Sequence, residues 1–203
     1  REDGFTQVWI VPLADGTASC VAAGEAHRMA FEAESFTASL SGNRLFDPAG
    51  GALRVEYSSM TAPRSLLEYD TAAQTYQTLK VTPVPGYDAS QYQTRRVEVT
   101  ARDGVTVPMT LLWRRDKACP FGAEAAPSPC HLYGYGSYGI CMDPSFSANR
   151  LTLVDRGVVY AIAHIRGGGE MGFHTWYESS GKYLQKRNTF TDFVDCGSAL
   201  VDM

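Results

Sequence analysis

From Phe5 to about Val81 the apolar residues fall in short runs, some continuous and some alternating with polar residues, and each run stops at turn-forming residues. The runs are Val8-Trp9-Ile10-Val11, Ser19-Cys20-Val21-Ala22, Leu53-Arg54-Val55-Glu56-Tyr57, Leu66-Leu67-Glu68-Tyr69 and Tyr76-Gln77-Thr78-Leu79-Lys80. Asp15-Gly16, Ser41-Gly42-Asn43, Gly50-Gly51, Pro63 and Asp70 separate them. Side chains alternate across a strand, and tight turns favour Gly, Asn, Asp and Pro, so the pattern predicts an antiparallel β-meander. Leu53 to Val81 is enough for most of one propeller blade, but about 80 residues cannot close a propeller. No internal repeat establishes blades, and on the residues alone a plain meander and a propeller remnant both stand.

Pro83, Pro85 and Gly86 break the pattern and predict a boundary near residue 84. Arg95 to Ala101, the Asp103-Gly104 turn and Val105 to Trp113 predict a hairpin, followed by a loop from Arg114 to Pro129. His131-Leu132-Tyr133 and Val158 to Ala163 predict strands buried on both faces. Phe146 to Val154 predicts a helical segment. In the stretch from Phe190 to Met203, the residues Phe190, Phe193, Val194, Leu200 and Val201 recur at helical intervals, with Thr189 or Asn188 as its cap. The strand-helix-strand-helix order predicts parallel pairing and the start of an α/β domain. Two units follow, residues 1–83 and 84–203.

At 203 residues, 44% hydrophobic and 20% charged, the chain can bury a core and reads as a folded protein. A net charge of -4 supplies no Lys and Arg excess for a phosphate backbone or anionic lipid, so no nucleic-acid partner is expected. No apolar run approaches the roughly 20 residues of a bilayer span, so no membrane partner is expected either. The chain opens at Arg1 with no visible secretory leader. Five cysteines, an odd count without a CxxC pair, argue against a disulfide framework or zinc knuckle and for reduced thiols in the cytoplasm. His27, His131, His164 and His174 form no metal-ligating pair at i, i+4 spacing, so neither metal nor cofactor is expected.

Two glycine-rich segments carry the candidate chemistry. Gly134, Gly136 and Gly139 satisfy the dinucleotide pattern G-x-G-x-x-G, yet Asp143-Pro144 follows where a helix should open, and no acidic residue closes the next strand to hold a ribose. Tyr135, set between two glycines after a strand, could instead donate from its phenol to a carbonyl oxygen acquiring charge; packing of these tyrosines over a tight turn is the plain alternative. Arg166-Gly167-Gly168-Gly169-Glu170 follows the strongest strand and partly matches the HGGG oxyanion loop of lipases, with Arg in place of His. A close-packed turn with Arg166 or Glu170 paired to a neighbour fits it equally. Asp192 and Asp195 read as solvated or cap-associated charges. No G-x-S-x-G nucleophile elbow occurs.

Leu132 to Ile140, Asp155-Arg156-Gly157 and above all Ala163-His164-Ile165-Arg166-Gly167-Gly168-Gly169-Glu170-Met171-Gly172 resemble the prolyl oligopeptidase family of serine peptidases. Trp176-Tyr177-Glu178, Gly181-Lys182, Lys186 to Phe193, Arg54 to Met60 and Val107 to Thr110 extend the likeness, which is strongest to the protozoan-type oligopeptidase B branch and runs from about Phe46 to Met203. The resemblance implies that residues 1–83 close a seven-bladed β-propeller and that 84–203 begin an α/β-hydrolase domain. It further implies a Ser-His-Asp triad cleaving short peptides after Arg or Lys, with Tyr135 donating to the oxyanion. None of the triad maps onto these residues. The nucleophile, its partners and the acidic residues that read the basic side chain are therefore expected beyond Met203, and this segment alone should be inactive. A non-catalytic propeller or scaffold module is the competing class.

Overall fold

The computed structural model describes residues 4–11, 25–43, 51–122 and 125–203. The run Ser19 to Ala22, and with it Cys20, lies outside the described residues, as do the Asp15-Gly16 turn and Phe46. Strands β1 (Trp9–Ile10) and β2 (His27–Arg28) form a short antiparallel pair. Next come β3 (Phe36–Leu40), β4 (Ala52–Ser59), β5 (Ser65–Asp70) and β6 (Thr75–Val81), an antiparallel sheet in the order β3-β4-β5-β6. This is the predicted meander, with β2 and β3 added. β2 is only two residues long and β3 alternates through small residues, so the apolar runs do not mark them. Among the described residues the sheet does not close into a ring.

Local chemistry sets the turns. The Asp70 carboxylate accepts from the backbone N–H groups of Ala72 and Ala73, both at 2.9 Å, and bends the chain between β5 and β6. Val8, Met29, Phe36, Ala38, Val55 and Tyr69 bury the inner face of this sheet.

The second sheet contains β7 (Tyr92–Thr100), β8 (Thr106–Arg114), β9 (Cys130–Tyr133) and β10 (Val159–Ala163), in the order β7-β8-β10-β9. β8 runs antiparallel to β7 and β10, whereas β10 is parallel to β9. Helix α1 (Ala148–Val154) sits in the β9–β10 crossover, as a parallel connection requires, and α2 (Arg187–Asp202) follows β10. One face of the sheet, with Met109, Leu111, Trp113, Ala161 and Ala163, packs with Cys196 of α2. The other, with Leu112 and Ile162, packs with Leu151 and Val154 of α1 and with Met60 and Tyr92. Because both faces are covered, β8 is buried at seven consecutive positions, Val107 to Trp113.

One expectation fails here. His131-Leu132-Tyr133 is not buried on both faces: β9 lies at the end of the strand order, and only Leu132 is even half-buried. A short apolar run cannot report whether it sits at the centre or the edge of its sheet. The central strands are β8 and β10.

The two sheets are joined by polar links at buried and half-buried positions. Ser35 Oγ lies 3.3 Å from Thr110 Oγ1, which lies 2.9 Å from His164 Nε2. The Phe146 N–H donates to Ser58 Oγ at 3.0 Å, and Tyr87 donates to the Thr61 carbonyl at 2.6 Å. Met60, on the loop between β4 and β5, is 1% exposed within the core of the second sheet.

Candidate active site

The ends of β9 and β10 carry the two glycine-rich segments, and parallel pairing of these strands brings the segments together. The Gly139 N–H donates to the Gly167 carbonyl at 3.0 Å. Gly136, at φ +59°, is buried so tightly that a Cβ there would sit 2.5 Å from Thr189 Cγ2 and 2.8 Å from Ile165 Cγ1. Gly167, at φ +99°, is pressed against the Gly136 carbonyl. Both conditions admit glycine and little else: a left-handed backbone and no room for a side chain.

Tyr135 stands on this clasp. Its side chain points outward, 41% exposed, and its hydroxyl has no hydrogen-bond partner among the described residues. The alternative in which the tyrosines pack over the turn does not describe Tyr135, nor Tyr138 at 74% exposure. The dinucleotide pattern lacks its helix: Gly139 runs into coil, and α1 begins only at Ala148. No helix N-terminus is therefore aimed at a pyrophosphate from this turn.

Behind the clasp lies a buried ion-pair system, the pairing of Arg166 that the close-packed-turn reading allowed, with partners the sequence did not name. Arg166 is 3% exposed and its guanidinium grips Asp192 of α2 through Nε–Oδ2 at 2.9 Å and Nη2–Oδ1 at 2.5 Å. The Arg166 backbone N–H adds a third bond to Asp192 Oδ2 at 3.0 Å, and Nη1 reaches Asp103 Oδ2 at 2.6 Å. Asp192 is fully buried, which corrects its reading as a solvated or cap-associated charge. Asp195 is bonded too, to the backbone and guanidinium of Arg102. These hydrogen bonds to Arg166 hold the Asp103 carboxyl below the usual carboxylate range, and the Arg102 guanidinium does the same for Asp195. Helical spacing counts apolar positions, so a buried carboxylate with a distant partner leaves no mark in it.

Arg166 thus ties α2 and the β7–β8 turn to the loop after β10, a structural use of the residue that replaces His in the lipase-like pattern. Glu170, 1% exposed, accepts from the Met142 N–H at 2.9 Å and secures the segment after Gly139. Thr189 does not cap α2; its hydroxyl donates to the Arg166 carbonyl at 2.6 Å and also reaches the Gly136 carbonyl at 3.3 Å, so it bridges both glycine segments. Asn188 donates to the Ser180 carbonyl instead. A helical turn at Tyr183–Gln185 runs into α2, and Thr189 N–H is satisfied by the Lys186 carbonyl, which leaves that cap little to do.

Together these contacts form a glycine-built platform that presents the Tyr135 phenol at the carboxyl end of a parallel strand pair, with the more exposed Tyr138 three residues on. A donor held this way can stabilise charge developing on a carbonyl oxygen, provided a nucleophile is supplied from elsewhere.

Comparison with known proteins gives the family. The prolyl oligopeptidase family model matches residues 144–203. Dipeptidyl aminopeptidase BI of Pseudoxanthomonas mexicana is 46% identical over 191 residues, 93% of this chain and 24% of that protein. Protease 2 of Moraxella lacunata is 36% identical across 100% of this chain and 27% of its own length. Among solved structures, oligopeptidase B from Leishmania major matches with a TM-score of 0.85 at 36% identity, covering 100% of this chain and 27% of its own. Oligopeptidase B from Trypanosoma brucei, in a closed form with covalently bound antipain, gives 0.84 at 40% identity, covering 100% of this chain and 28% of its own. The chain spans about a quarter of the length of these relatives. The chain belongs to the prolyl oligopeptidase family of serine peptidases, and over its full length it is similar to oligopeptidase B.

Proposed function

We propose that this chain is the part of a serine oligopeptidase that joins the last blade of a β-propeller (residues 1–83) to the opening of an α/β-hydrolase domain (84–203), and that it supplies the oxyanion donor Tyr135. The intact protein hydrolyses short peptides after Arg or Lys with a Ser-His-Asp triad drawn from outside these residues, and these residues alone are inactive. It works in the cytoplasm, a reducing setting in keeping with the thiols of Cys119, Cys130 and Cys196, which form no disulfide among the described residues.

One observation carries the proposal: Tyr135 is held out by a two-segment glycine clasp at the carboxyl end of β9, with its hydroxyl unspent. Carboxyl ends of parallel strands are where α/β sheets place their ligands. The four-stranded meander and the mixed sheet with helices on both faces support the two-domain assignment. The preference for basic residues rests on likeness to oligopeptidase B alone.

Replacing Tyr135 by Phe in the intact protein removes one oxyanion donor and little else. Such a loss costs about 2.7 to 4 kcal/mol, or roughly a hundred- to thousandfold in kcat, with KM nearly unchanged. The assay is steady-state hydrolysis of a blocked peptidyl-arginine amide, run beside a proline counterpart and a free dipeptidyl amide. Unaltered kcat in Tyr135→Phe rejects the donor role. Preference for the free dipeptidyl amide would move the specificity toward that of the dipeptidyl aminopeptidase relative, and inertness toward all three favours a scaffold.

A further inference from the structure

The loop that carries Tyr135 is fixed at both ends. Tyr133 is held in the ladder between β9 and β10, and Gly139 donates its N–H to the Gly167 carbonyl at 3.0 Å. Between these points the chain passes through Gly136, whose missing Cβ leaves its backbone freer than that of any other residue. Without a further anchor, rotation at Gly136 would swing the adjacent Tyr135 relative to the platform.

That anchor comes from the start of α2. The Lys186 ammonium donates to the Gly136 carbonyl and, at 2.7 Å, to Ser137 Oγ. Thr189 Oγ1 reaches the same carbonyl at 3.3 Å, but its shorter bond goes to the Arg166 carbonyl. Lys186 is half-buried, and burial pushes its pKa down, so the ammonium has given up water for these two oxygens. A charge-assisted bond is roughly twice as strong as a neutral one, which makes Lys186 the stronger of the two clamps on Gly136.

We infer that Lys186 is a positioning residue for catalysis: by clamping the Gly136 carbonyl and Ser137 hydroxyl, it sets the direction in which Tyr135 presents its phenol. The inference rests on the oxyanion role proposed for Tyr135. Lys186 itself touches no substrate, and it acts only through the tyrosine.

A mutant cycle in the intact peptidase tests this, with kcat and KM measured on the peptidyl-arginine amide for Lys186→Met, Tyr135→Phe and the double variant. Misplacing a catalytic group by about 1 Å costs on the order of a hundredfold, so Lys186→Met should lower kcat by roughly 10- to 100-fold and leave KM within about twofold. Lys186→Arg, which keeps a cation and several donors, should regain most of that loss. In the Tyr135→Phe background the lysine change should cost less than about twofold, because a clamp on a missing donor has nothing left to hold. Full activity of Lys186→Met beside an impaired Tyr135→Phe overturns this inference alone, as do losses that multiply independently. A fully active Tyr135→Phe overturns both the oxyanion assignment and the clamp. If Lys186→Met does not fold, Ser137→Ala removes the second acceptor and leaves the lysine. It should then show a smaller kcat loss that vanishes in Tyr135→Phe, and independence of the two changes is the refuting result.

Discussion

Replacing Asp192 by Ala takes the buried carboxylate from under Arg166. Three hydrogen bonds go at once: those from the Arg166 backbone N–H, from Nε and from Nη2. Arg166 keeps Asp103, but that partner is 41% exposed and contacts only Nη1. A cation whose side chain is 4% exposed is then left with most of its donors unmet. Removing one member of a buried pair costs about 3 to 5 kcal/mol, far more than the pair's net worth, because the survivor remains desolvated. Alanine's better helix propensity on α2 returns only a few tenths of a kcal/mol. With a urea slope near 3 kcal/mol/M, the unfolding midpoint of the hydrolase portion should fall by roughly 1 to 2 M. The assay is urea unfolding of the intact protein followed by tryptophan fluorescence, since Trp113 and Trp176 lie in the same core. Asp195→Ala is the control; its partner Arg102 is half exposed, and screening by water leaves such a pair little to contribute. Replacing both buried partners, as Arg166→Met with Asp192→Leu, should recover part of the loss. Equal and small midpoint shifts for Asp192→Ala and Asp195→Ala would refute the reasoning.

Gly136→Ala should be among the most damaging single-methyl changes in the chain, since it meets Thr189 and Ile165 inside contact distance at a left-handed φ of +59°; Gly104→Ala, at φ +84° with open space around it, carries only the backbone strain. Soluble yield and thermal midpoint of the two variants compare them, and equal losses would remove the close-packing argument. Burial and the Asp155 carboxylate push the Tyr92 phenol up to about 12. The folded state therefore holds this proton more tightly than the unfolded chain, and the associated stability is complete below pH 10 and fades as pH rises from 10 through 12. Alkaline unfolding monitored by fluorescence should shift to higher pH in Tyr92→Phe, and an unchanged midpoint speaks against the linkage.

The chain's elements were legible wherever burial follows a simple period. Strands β4 and β5, the β7–β8 hairpin and β10 stand where alternation or a continuous apolar run puts them, because each is buried against a core. β6 also stands where its alternation puts it, although all seven of its residues are exposed, and α2 keeps its predicted place with a different buried face. β3 was missed since Phe36-Thr37-Ala38-Ser39-Leu40 alternates through small residues, with Ala38 rather than a large side chain at its most buried point. The π-helical turn Phe173–Glu178 was missed for another reason: it buries only Trp176, whose indole N–H donates to the His164 carbonyl at 3.1 Å. A single anchoring residue has no period to detect.

The candidate site divides along the same line. Glycines are visible in a sequence because their backbone freedom is a property of the residue, so the segments around Tyr135 and Gly167 could be singled out before any coordinates. What those glycines touch is not such a property. That Gly136 faces Thr189, 53 positions away, and that Arg166 closes on Asp192 across 26, are consequences of α2 folding back over the sheet. An α-helix repeats every 3.6 residues, so Thr189, Asp192 and Cys196, spaced by three and four, share one face. That face is the buried one, and it carries a hydroxyl, a carboxylate and a thiol where an apolar stripe was expected. The exposed face holds Phe190, Val194 and Val201 instead. The difference follows from the partners: near its start α2 meets loops that offer a backbone carbonyl and a guanidinium, which Thr189 and Asp192 satisfy, whereas Cys196, with Phe193 and Leu200 of the expected stripe, packs against the apolar sheet.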